Sequence, residues 1–512
     1  MTFSENKFVE EQSSSQPGKV LYIVLFFILF VLTQLPIYLV DIPAMTDYPN
    51  HLARMFILEN LNHSELLNKY YIEKQLLIPN LAMEMIVPIF SKFISVSLAT
   101  KLFISLGLLL ISSGVTALYF ALHRHLSWWT LTIFIFLLSH YLIWGFLGYF
   151  FSVGCALWIS ALWIIFQQNR VWIRLIFFSL SATLLYFFHL MAFGFYVLFV
   201  IGYEFEEIRR KKGRPKMQLV MDAVIATGQF IPGGLLFLLK PKIVNPNLSS
   251  DFASLYSLYS KAGGILGTTW NYLPAADIAL FGLFFGTIFL LLMTKRLAIH
   301  PSLIWPLIMM TIMFILLPDN SSGSSYLDKR IPIVILYFLI AGISFKKGFM
   351  TRAKKAVAVI IIFMILLFRT SVLYTKWAGA NDYYAGCIRT LDLVPRGARI
   401  YTATKSAGEH AEFPPARHIA SYAIIRREAF VQNLFAFPRY GESIAYTEEY
   451  ERLIREEPRH MYRKTETPNW KTIVNHYDYV FLVNPQLFEP IPDPLNEIMK
   501  GKGFSLYRIK QE

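Results

Sequence analysis

Long apolar runs separated by short polar stretches dominate the first three quarters of the chain. A hydrocarbon core about 30 Å thick is crossed by a helix of roughly 20 apolar residues. By this measure the pattern predicts an α-helical polytopic membrane protein in which residues 20–374 form the transmembrane domain. The predicted spans number about eleven and lie at 20–40, 99–122, 129–146, 149–167, 172–189, 190–205, 218–239, 277–294, 302–318, 331–345 and 356–374.

The pattern changes at both ends and after the first span. Residues 1–19 are polar and are predicted to form a disordered cytoplasmic tail. The mixed stretch 41–98 is predicted to be a large first outer loop with two amphipathic helices. Beyond the last span, residues 375–512 are predicted to fold as a small α/β domain. Its strands are expected where short runs rich in β-branched and aromatic residues are bounded by Pro, Gly or Asn, at 398–404, 477–485 and 504–509.

Composition and charge fix the orientation of the predicted spans. The chain of 512 residues is 55% hydrophobic and carries a net charge of +14, which is far more apolar than a soluble domain. The basic clusters, such as "RRKKGRPK" at 209–216 and "KKGFMTRAKK" at 346–355, fall in alternate loops. The positive-inside rule assigns those loops to the cytoplasm, so the first long loop and the C-terminal domain face outward from the cytoplasmic (inner) membrane. No stripe of base-stacking aromatic residues accompanies the charge, so membrane lipids are expected partners and nucleic acid is not.

A polar cluster stands directly after the first span, in "VDIPAMTDYPNHLARM". Asp47 precedes a helical pattern, so its structural interpretation is a helix N-cap. Asn50, His51 and Arg54 follow at three, four and seven residues and share one face of that helix. A carboxylate, an imidazole and a guanidinium are therefore expected to converge at the membrane surface, where they can accept a proton and hold a phosphate.

This segment and the predicted topology resemble the GT-C superfamily of integral membrane glycosyltransferases, similar to the membrane mannosyl and aminoarabinosyl transferases. The local match is Asp47 followed by His-Leu-Ala-Arg at 51–54. The topological match is the large first outer loop, the basic cytoplasmic face and the C-terminal extracytoplasmic domain. The resemblance implies sugar transfer from a polyprenyl-phosphate donor to a glycan, lipid or protein acceptor outside the membrane. Many members carry an Asp-Glu or Asp-Asp pair, whereas here Tyr48 follows Asp47.

The resemblance implies an acid-base role for the carboxylates of the first loop. Asp47 is the predicted general base, which takes the proton of the acceptor hydroxyl, and Asp41 is the second choice. The residues do not decide whether a cofactor is required. If Mg²⁺ or Mn²⁺ is required, Asp41, Asp47 and His51 are the predicted ligands, because these ions prefer hard oxygen ligands.

Outer cations are needed for the departing polyprenyl phosphate, whose charge grows in the transition state. Asn50, His51 and Arg54 of the first loop are predicted to bind substrate. Lys329, Arg330 and His189 are predicted to do the same. Lys329 and Arg330 lie at the mouth of the tenth predicted span, and snorkelling is their structural interpretation. His189 is a further candidate, for which a buried histidine with one hydrogen bond is the structural alternative. Glu84 is expected on a solvated helix face, and Arg369 is a charge late in the last span.

Three other classes of function stay open from the sequence. A transporter or flippase would place charged or broken helices at mid-membrane in matching halves, whereas the ionisable residues here cluster at the outer ends. A ligase that joins whole lipid-linked glycans would share the donor type. A scaffold that has lost activity would tolerate replacement of Asp47.

Overall fold

The computed structural model describes residues 18–74, 77–210, 216–240, 258–320, 326–405, 415–436, 442–457, 459–463 and 465–510. Within these ranges the chain is mostly helical. Seven helical segments are long and apolar enough to cross a membrane: Lys19–Tyr38, Val96–His123, Leu147–Ile165, Val171–Phe188, Val220–Leu239, Pro274–Met293 and Arg352–Leu391. The predicted tail at 1–19 lies almost wholly outside the described residues.

Further helices connect and flank these segments, and two of them, Lys216–Gly228 and Ile231–Leu239, make up the segment Val220–Leu239. They are Tyr48–Asn60, Glu65–Tyr70, Ala82–Ser91, Ile133–Leu137, His140–Trp144, Leu190–Arg210, Lys216–Gly228, Ile231–Leu239, Leu258–Leu266, Ile304–Leu316, Ile331–Gly342, Tyr422–Arg427, Glu448–Glu456 and Trp470–His476. Short 3₁₀ turns include Trp128–Thr132, Asp328–Arg330 and Pro415–Ser421. The last two of these carry candidate site residues.

Several predicted spans do not form single long helices, among them 129–146, 218–239 and 331–345. The run 129–146 is divided into the pieces Trp128–Thr132, Ile133–Leu137 and His140–Trp144. Its residues from Ile133 to Leu138 are at most 3% exposed, so they are apolar because they pack inside the protein. The run 331–345 ends as the strand β3 (Ile343–Phe345), which pairs with β2 (Leu297–Ile299). Hydrophobicity alone does not separate buried pieces from lipid-facing spans, and the count of about eleven stays a prediction.

The last long helix continues past the membrane-like segment. Arg352–Leu391 is a single helix of 40 residues, roughly 60 Å long at 1.5 Å per residue. A domain boundary at 375 therefore falls within a continuous helix, and the described C-terminal sheet begins only at Arg399.

The C-terminal part contains a mixed sheet. Its strands in spatial order are β5 (Phe430–Val431), β4 (Arg399–Lys405), β8 (Tyr479–Val483), β10 (Phe504–Ile509) and β9 (Leu495–Gly501), and β7 (Met461–Tyr462) also pairs with β4. Strand β4 runs parallel to β5, β7 and β8, and β10 runs antiparallel to β8 and β9. β4, β8 and β10 lie on the three runs that the sequence predicts as strands.

A second, two-stranded sheet ties the first loop to the C-terminal part. β1 (Tyr71–Glu73) pairs antiparallel with β6 (Ile444–Tyr446). Close by, the Tyr71 hydroxyl donates to the Ala429 carbonyl at 3.0 Å. These contacts join the later part of the first loop to the C-terminal part. The helix Tyr48–Asn60 of the same loop packs against both the turn Pro415–Ser421 and the helix Val96–His123.

Candidate functional site

The backbone of Asp47 is held against the divided segment 128–146. The Thr46 amide donates to the Ile143 carbonyl at 2.9 Å, and the Asp47 amide donates to the Trp144 carbonyl at 3.1 Å. Gly145 faces this contact with a φ of +94°, and a Cβ at that position would lie 3.1 Å from the Cβ of Asp47. Both the left-handed backbone and the close approach favour glycine here.

The side chain of Asp47 does not cap its own helix. Asp47 occupies the N-cap position of Tyr48–Asn60, yet it makes no side-chain capping hydrogen bond. Instead, the Arg417 Nη2 donates to Asp47 Oδ1 at 2.9 Å, and the His418 Nε2 lies 3.5 Å from the same oxygen. Burial raises the pKa of the Asp47 carboxyl, and the charges of Arg417 and Arg330 partly oppose that rise. The carboxylate is therefore a buried, ion-paired group that does not cap the backbone of its own helix.

His51 and Arg54 form the next layer on the same helix. The His51 Nε2 donates to the Gly145 carbonyl at 3.1 Å, and its Nδ1 accepts from the Arg54 Nη1 at 3.2 Å. Burial, followed by the charge of Arg54, lowers the pKa of His51 to about 3, so the imidazole is neutral. His51 thus holds the glycine that touches Asp47.

Arg54 is buried between two carboxylates. Its Nη2 contacts Glu84, from the helix Ala82–Ser91, and lies 2.7 Å from Glu442 Oε2. The Glu84 side chain is 8% exposed, so the expectation of a solvated helix face is wrong. Glu84 is buried because it faces the guanidinium of Arg54.

Asn50 joins the helix to the C-terminal part. Its Oδ1 accepts from the Phe435 amide at 2.8 Å, and its Nδ2 donates to the Asn433 carbonyl at 2.7 Å. The side chain is fully buried. Asn50, His51 and Arg54 therefore all have protein partners, and they link the helix Tyr48–Asn60 to its surroundings.

Asp41 lies apart from this cluster. It is exposed, and its charged neighbour is Lys101, whose Nζ donates to the Val40 carbonyl at 2.7 Å. Within the described ranges, no group of three or more His, Cys, Asp or Glu side chains is arranged to hold a metal ion. The predicted ligand set of Asp41, Asp47 and His51 is therefore not gathered, and the donor atoms present do not fit a shared Mg²⁺ or Mn²⁺.

Arg330 and His189 come together on the other side of Asp47. The Arg330 Nη1 lies 3.5 Å from His189 Nε2. Its guanidinium lies 4.2 Å from the ring centre of Phe146 and 5.8 Å from that of Tyr149. The positive charge of Arg330 acts on the Asp47 carboxyl and favours its ionised form. These predicted residues share one neighbourhood although they come from separate elements.

Lys329 lies next to Arg330 in an aromatic setting. Its Nζ is 3.8 Å from Asp319 Oδ1, 4.4 Å from the ring centre of Tyr326 and 5.7 Å from that of Trp144. Trp144 is the residue whose carbonyl receives the Asp47 amide. Lys329 therefore borders the same site.

Comparisons with known proteins bear on the fold. No protein-family model matches the chain, and no curated protein matches it by sequence. A solved structure, ArnT from Cupriavidus metallidurans bound to undecaprenyl phosphate, superposes with a TM-score of 0.52 over 96% of this chain and 98% of that chain, at 9% identity. ArnT is a GT-C glycosyltransferase. The chain has a GT-C fold. A likeness at 9% identity is a likeness of fold alone.

Arg369 has a structural place in the GT-C fold. Its Nη1 donates to the Thr269 carbonyl at 2.8 Å and to Asp277 Oδ1 at 3.0 Å, and its Nη2 donates to the Leu138 carbonyl at 2.9 Å. The guanidinium is buried and ties the last long helix to two other segments. This charge is explained by packing.

Sequence reasoning missed Arg417, His418 and Glu442. The Arg-His pair at 417–418 has no spacing relation to Asp47, because Arg417 lies 370 positions after it in the chain. The sequence feature that could have pointed to these residues is the Arg-His pair within the otherwise uncharged segment 415–421.

Proposed function

We propose that the protein transfers a sugar from a polyprenyl-phosphate donor to an acceptor at the outer face of the cytoplasmic membrane, with Asp47 as the general base. The observation that carries this proposal is a buried carboxylate held by Arg417 and flanked by Arg330 in a GT-C fold. ArnT, which shares that fold, has been crystallised with undecaprenyl phosphate. This supports a polyprenyl-phosphate lipid as the partner.

Asp47 has the properties that a general base requires. The acceptor hydroxyl loses its proton to the carboxylate as its oxygen attacks the anomeric carbon, and the bond from that carbon to the phosphate oxygen breaks. A base works best when its pKa approaches the working pH. Burial of the Asp47 carboxyl moves its pKa upward in that direction, while Arg417 keeps the ionised form accessible.

Arg330 is placed to stabilise the leaving phosphate. A guanidinium can bind two phosphate oxygens at once, and fixed cations lower the energy of a developing negative charge most where water is excluded. His189 contacts Arg330, and Lys329 lies beside it. These three residues form the proposed phosphate end of the site, with Asp47 at the acceptor end.

The remaining predicted residues receive supporting roles. We assign Asn50, His51 and Arg54 to the positioning of the helix that carries Asp47, because each is engaged with protein partners. Asp41 is kept as a second carboxylate to be tested beside Asp47. The acceptor is left as a glycan, a lipid or a protein, in line with the resemblance.

Transport of a lipid-linked or small solute is the second candidate function. The observation that favours it is the divided segment 128–146, since transporters often bind substrate at discontinuous helices. Against it, the break ends at Gly145, where it supports Asp47. The two functions differ in their product, because only the transferase moves the label from the lipid to a new covalent partner.

A reconstituted system separates the two candidates. The full-length protein is placed in vesicles with a radiolabelled polyprenyl-phosphate sugar and a crude membrane acceptor fraction. Transfer predicts label in an acceptor that resists mild acid, together with release of polyprenyl phosphate. Label that crosses the bilayer while remaining acid-labile and lipid-linked would replace this proposal with transport.

A further inference from the structure

The turn Pro415–Ser421 brings two side chains from the C-terminal part onto Asp47. Arg417 Nη2 is 2.9 Å and His418 Nε2 is 3.5 Å from Asp47 Oδ1. Both side chains therefore contact the same carboxylate oxygen of Asp47.

The ring of His418 is oriented by amide groups. Its Nδ1 lies 3.4 Å from Asn50 Nδ2 and 3.5 Å from Asn433 Nδ2. The Asn50 amide is itself oriented by a backbone donor and a backbone acceptor. Because an amide nitrogen only donates, His418 Nδ1 must accept, and the network assigns the ring proton to Nε2. Among the described residues this Nε2 has no hydrogen-bond partner, and it lies 3.5 Å from Asp47 Oδ1 without donating to it.

We propose that Arg417 and His418 are positioning residues of the catalytic centre: Arg417 holds Asp47 by a hydrogen bond to Oδ1 and His418 packs against the same oxygen, so that Oδ2 receives the proton of the acceptor hydroxyl. This inference rests on the proposed role of Asp47 as base. The proton moves from the hydroxyl to Oδ2, and Arg417 and His418 keep their own protons throughout. The C-terminal part thereby completes the active site of the helical bundle.

Both residues are suited to this task by charge and burial. Arg417 supplies a charge-assisted hydrogen bond, the stronger class in a dry site. Burial and the neighbouring Arg417 charge keep the pKa of His418 well below its usual range, so the His418 ring that packs against Asp47 is neutral. Among the residues that the structure describes, the ionisable groups that face this pair are Arg330, His51 and His460. Misplacement of a reacting group by about 1 Å can cost on the order of 10²-fold in rate.

The first test measures the contact without relying on any reaction. The full-length protein in nanodiscs is treated with a membrane-permeable carbodiimide, which modifies protonated carboxyls, and modified Asp47 is quantified by mass spectrometry across pH. Arg417→Gln removes a charge that favours the carboxylate, so half-maximal modification should move upward by about one pH unit or more. Arg417→Lys should restore much of the original midpoint. Arg426→Gln is the matched control, because Arg426 lies on the adjoining helix and pairs with Asp392.

The second test measures transfer with the same variants. Arg417→Gln and His418→Phe should lower kcat by 10-fold or more with little change in KM for the donor, and Arg417→Gln should move the acidic limb of the pH profile upward. In the Asp47→Asn background, Arg417→Gln should cause no further loss, because it acts through Asp47. Arg426→Gln should match the wild type.

The outcomes separate the two proposals. An unshifted modification midpoint in Arg417→Gln overturns the inference whether or not the protein transfers sugar. A shifted midpoint with unchanged kcat and pH profile refutes the positioning role and leaves the proposed function standing. A wild type that transfers no sugar overturns the proposed function, and the catalytic role of Arg417 falls with it, even where the modification midpoint shifts.

Discussion

Asp47 and Gly145 lie close together within the site. The glycine adopts a φ of +94° and leaves 3.1 Å between a hypothetical Cβ and the Cβ of Asp47. The sequence could place Asp47 at a helix start, because the Tyr-Pro-Asn pattern after it is a local signal. It could not predict that the side chain turns away to Arg417, because that contact joins positions far apart in the chain. A carboxylate gains more from a buried guanidinium than from backbone amides that solvent can also satisfy.

Replacing Gly145 with alanine should therefore disturb the site directly. We expect Gly145→Ala to lower the free energy of unfolding by about 1–3 kcal/mol, since it forces a side chain into a left-handed backbone, and to reduce transfer. The matched control is Gly148→Ala, where the nearest atom to an added Cβ is 3.9 Å away. Thermal unfolding in detergent tests this directly, and equal midpoints for the two variants would contradict the account.

Arg330 should control the affinity for the anionic donor. Arg330→Gln should weaken binding of undecaprenyl phosphate roughly 10- to 100-fold, which corresponds to the loss of a charged hydrogen bond worth about 1.5–3 kcal/mol. Arg352→Gln, an exposed cation at the start of the last long helix, is the control. Binding is measured by titration of the lipid into protein in detergent. Equal dissociation constants for the wild type and Arg330→Gln would remove Arg330 from the phosphate site.

The helix Tyr48–Asn60 joins three parts of the molecule. Asn50 connects it to the strand region near Phe435, His51 connects it to Gly145, and Arg54 lies between Glu84 and Glu442. The start of this helix could be predicted from local pattern. The burial of Glu84 could not, since its partner Arg54 lies in another helix and local amphipathicity shows only a polar position.

Arg54 is expected to be a stabilising residue first. Arg54→Met leaves two buried carboxylates without a cation and should cost about 3–5 kcal/mol. Burial raises the pKa of Glu442, and removing Arg54 should raise it further. The folded variant then binds more protons than the unfolded chain, so its stability should be greatest at low pH and fall as the pH rises through the raised pKa.

The control for Arg54 restores charge balance. Adding Glu84→Gln and Glu442→Gln to Arg54→Met should recover part of the lost stability and flatten its pH dependence. Denaturation midpoints measured between pH 5 and pH 8 report both effects. A single variant Arg54→Met with the stability of the wild type would contradict the buried network.

At the scale of the whole molecule, the chain combines a helical bundle with a C-terminal part whose turn Pro415–Ser421 contacts Asp47. The strands β4, β8 and β10 could be predicted because they are short runs rich in β-branched and aromatic residues that end at turn residues. The run 129–146 was harder to interpret, because Ile133 to Leu138 are buried within the protein and carry no sign that lipid is absent. The site could be predicted only in its local half, from Asp47 to Arg54, and its other half depends on tertiary contacts.

The orientation of the fold gives a further prediction. An impermeant maleimide added outside intact cells should label Lys502→Cys, an exposed position in the C-terminal sheet, and should label Arg352→Cys only after lysis. Cys387 is buried and Cys155 partly buried, and replacing both with serine provides the background. Labelling of Arg352→Cys in intact cells would place the site in the cytoplasm and contradict an outer acceptor.

The measurement that tests the central claim most directly is sugar transfer by Asp47→Asn in membranes supplied with labelled polyprenyl-phosphate sugars. Asp41→Asn is the control, because Asp41 is an exposed carboxylate in the same segment. We predict that Asp47→Asn folds and inserts normally but loses about 10²- to 10⁴-fold of the transfer rate, while Asp41→Asn retains it. Undiminished transfer by Asp47→Asn would show that this carboxylate is not the base.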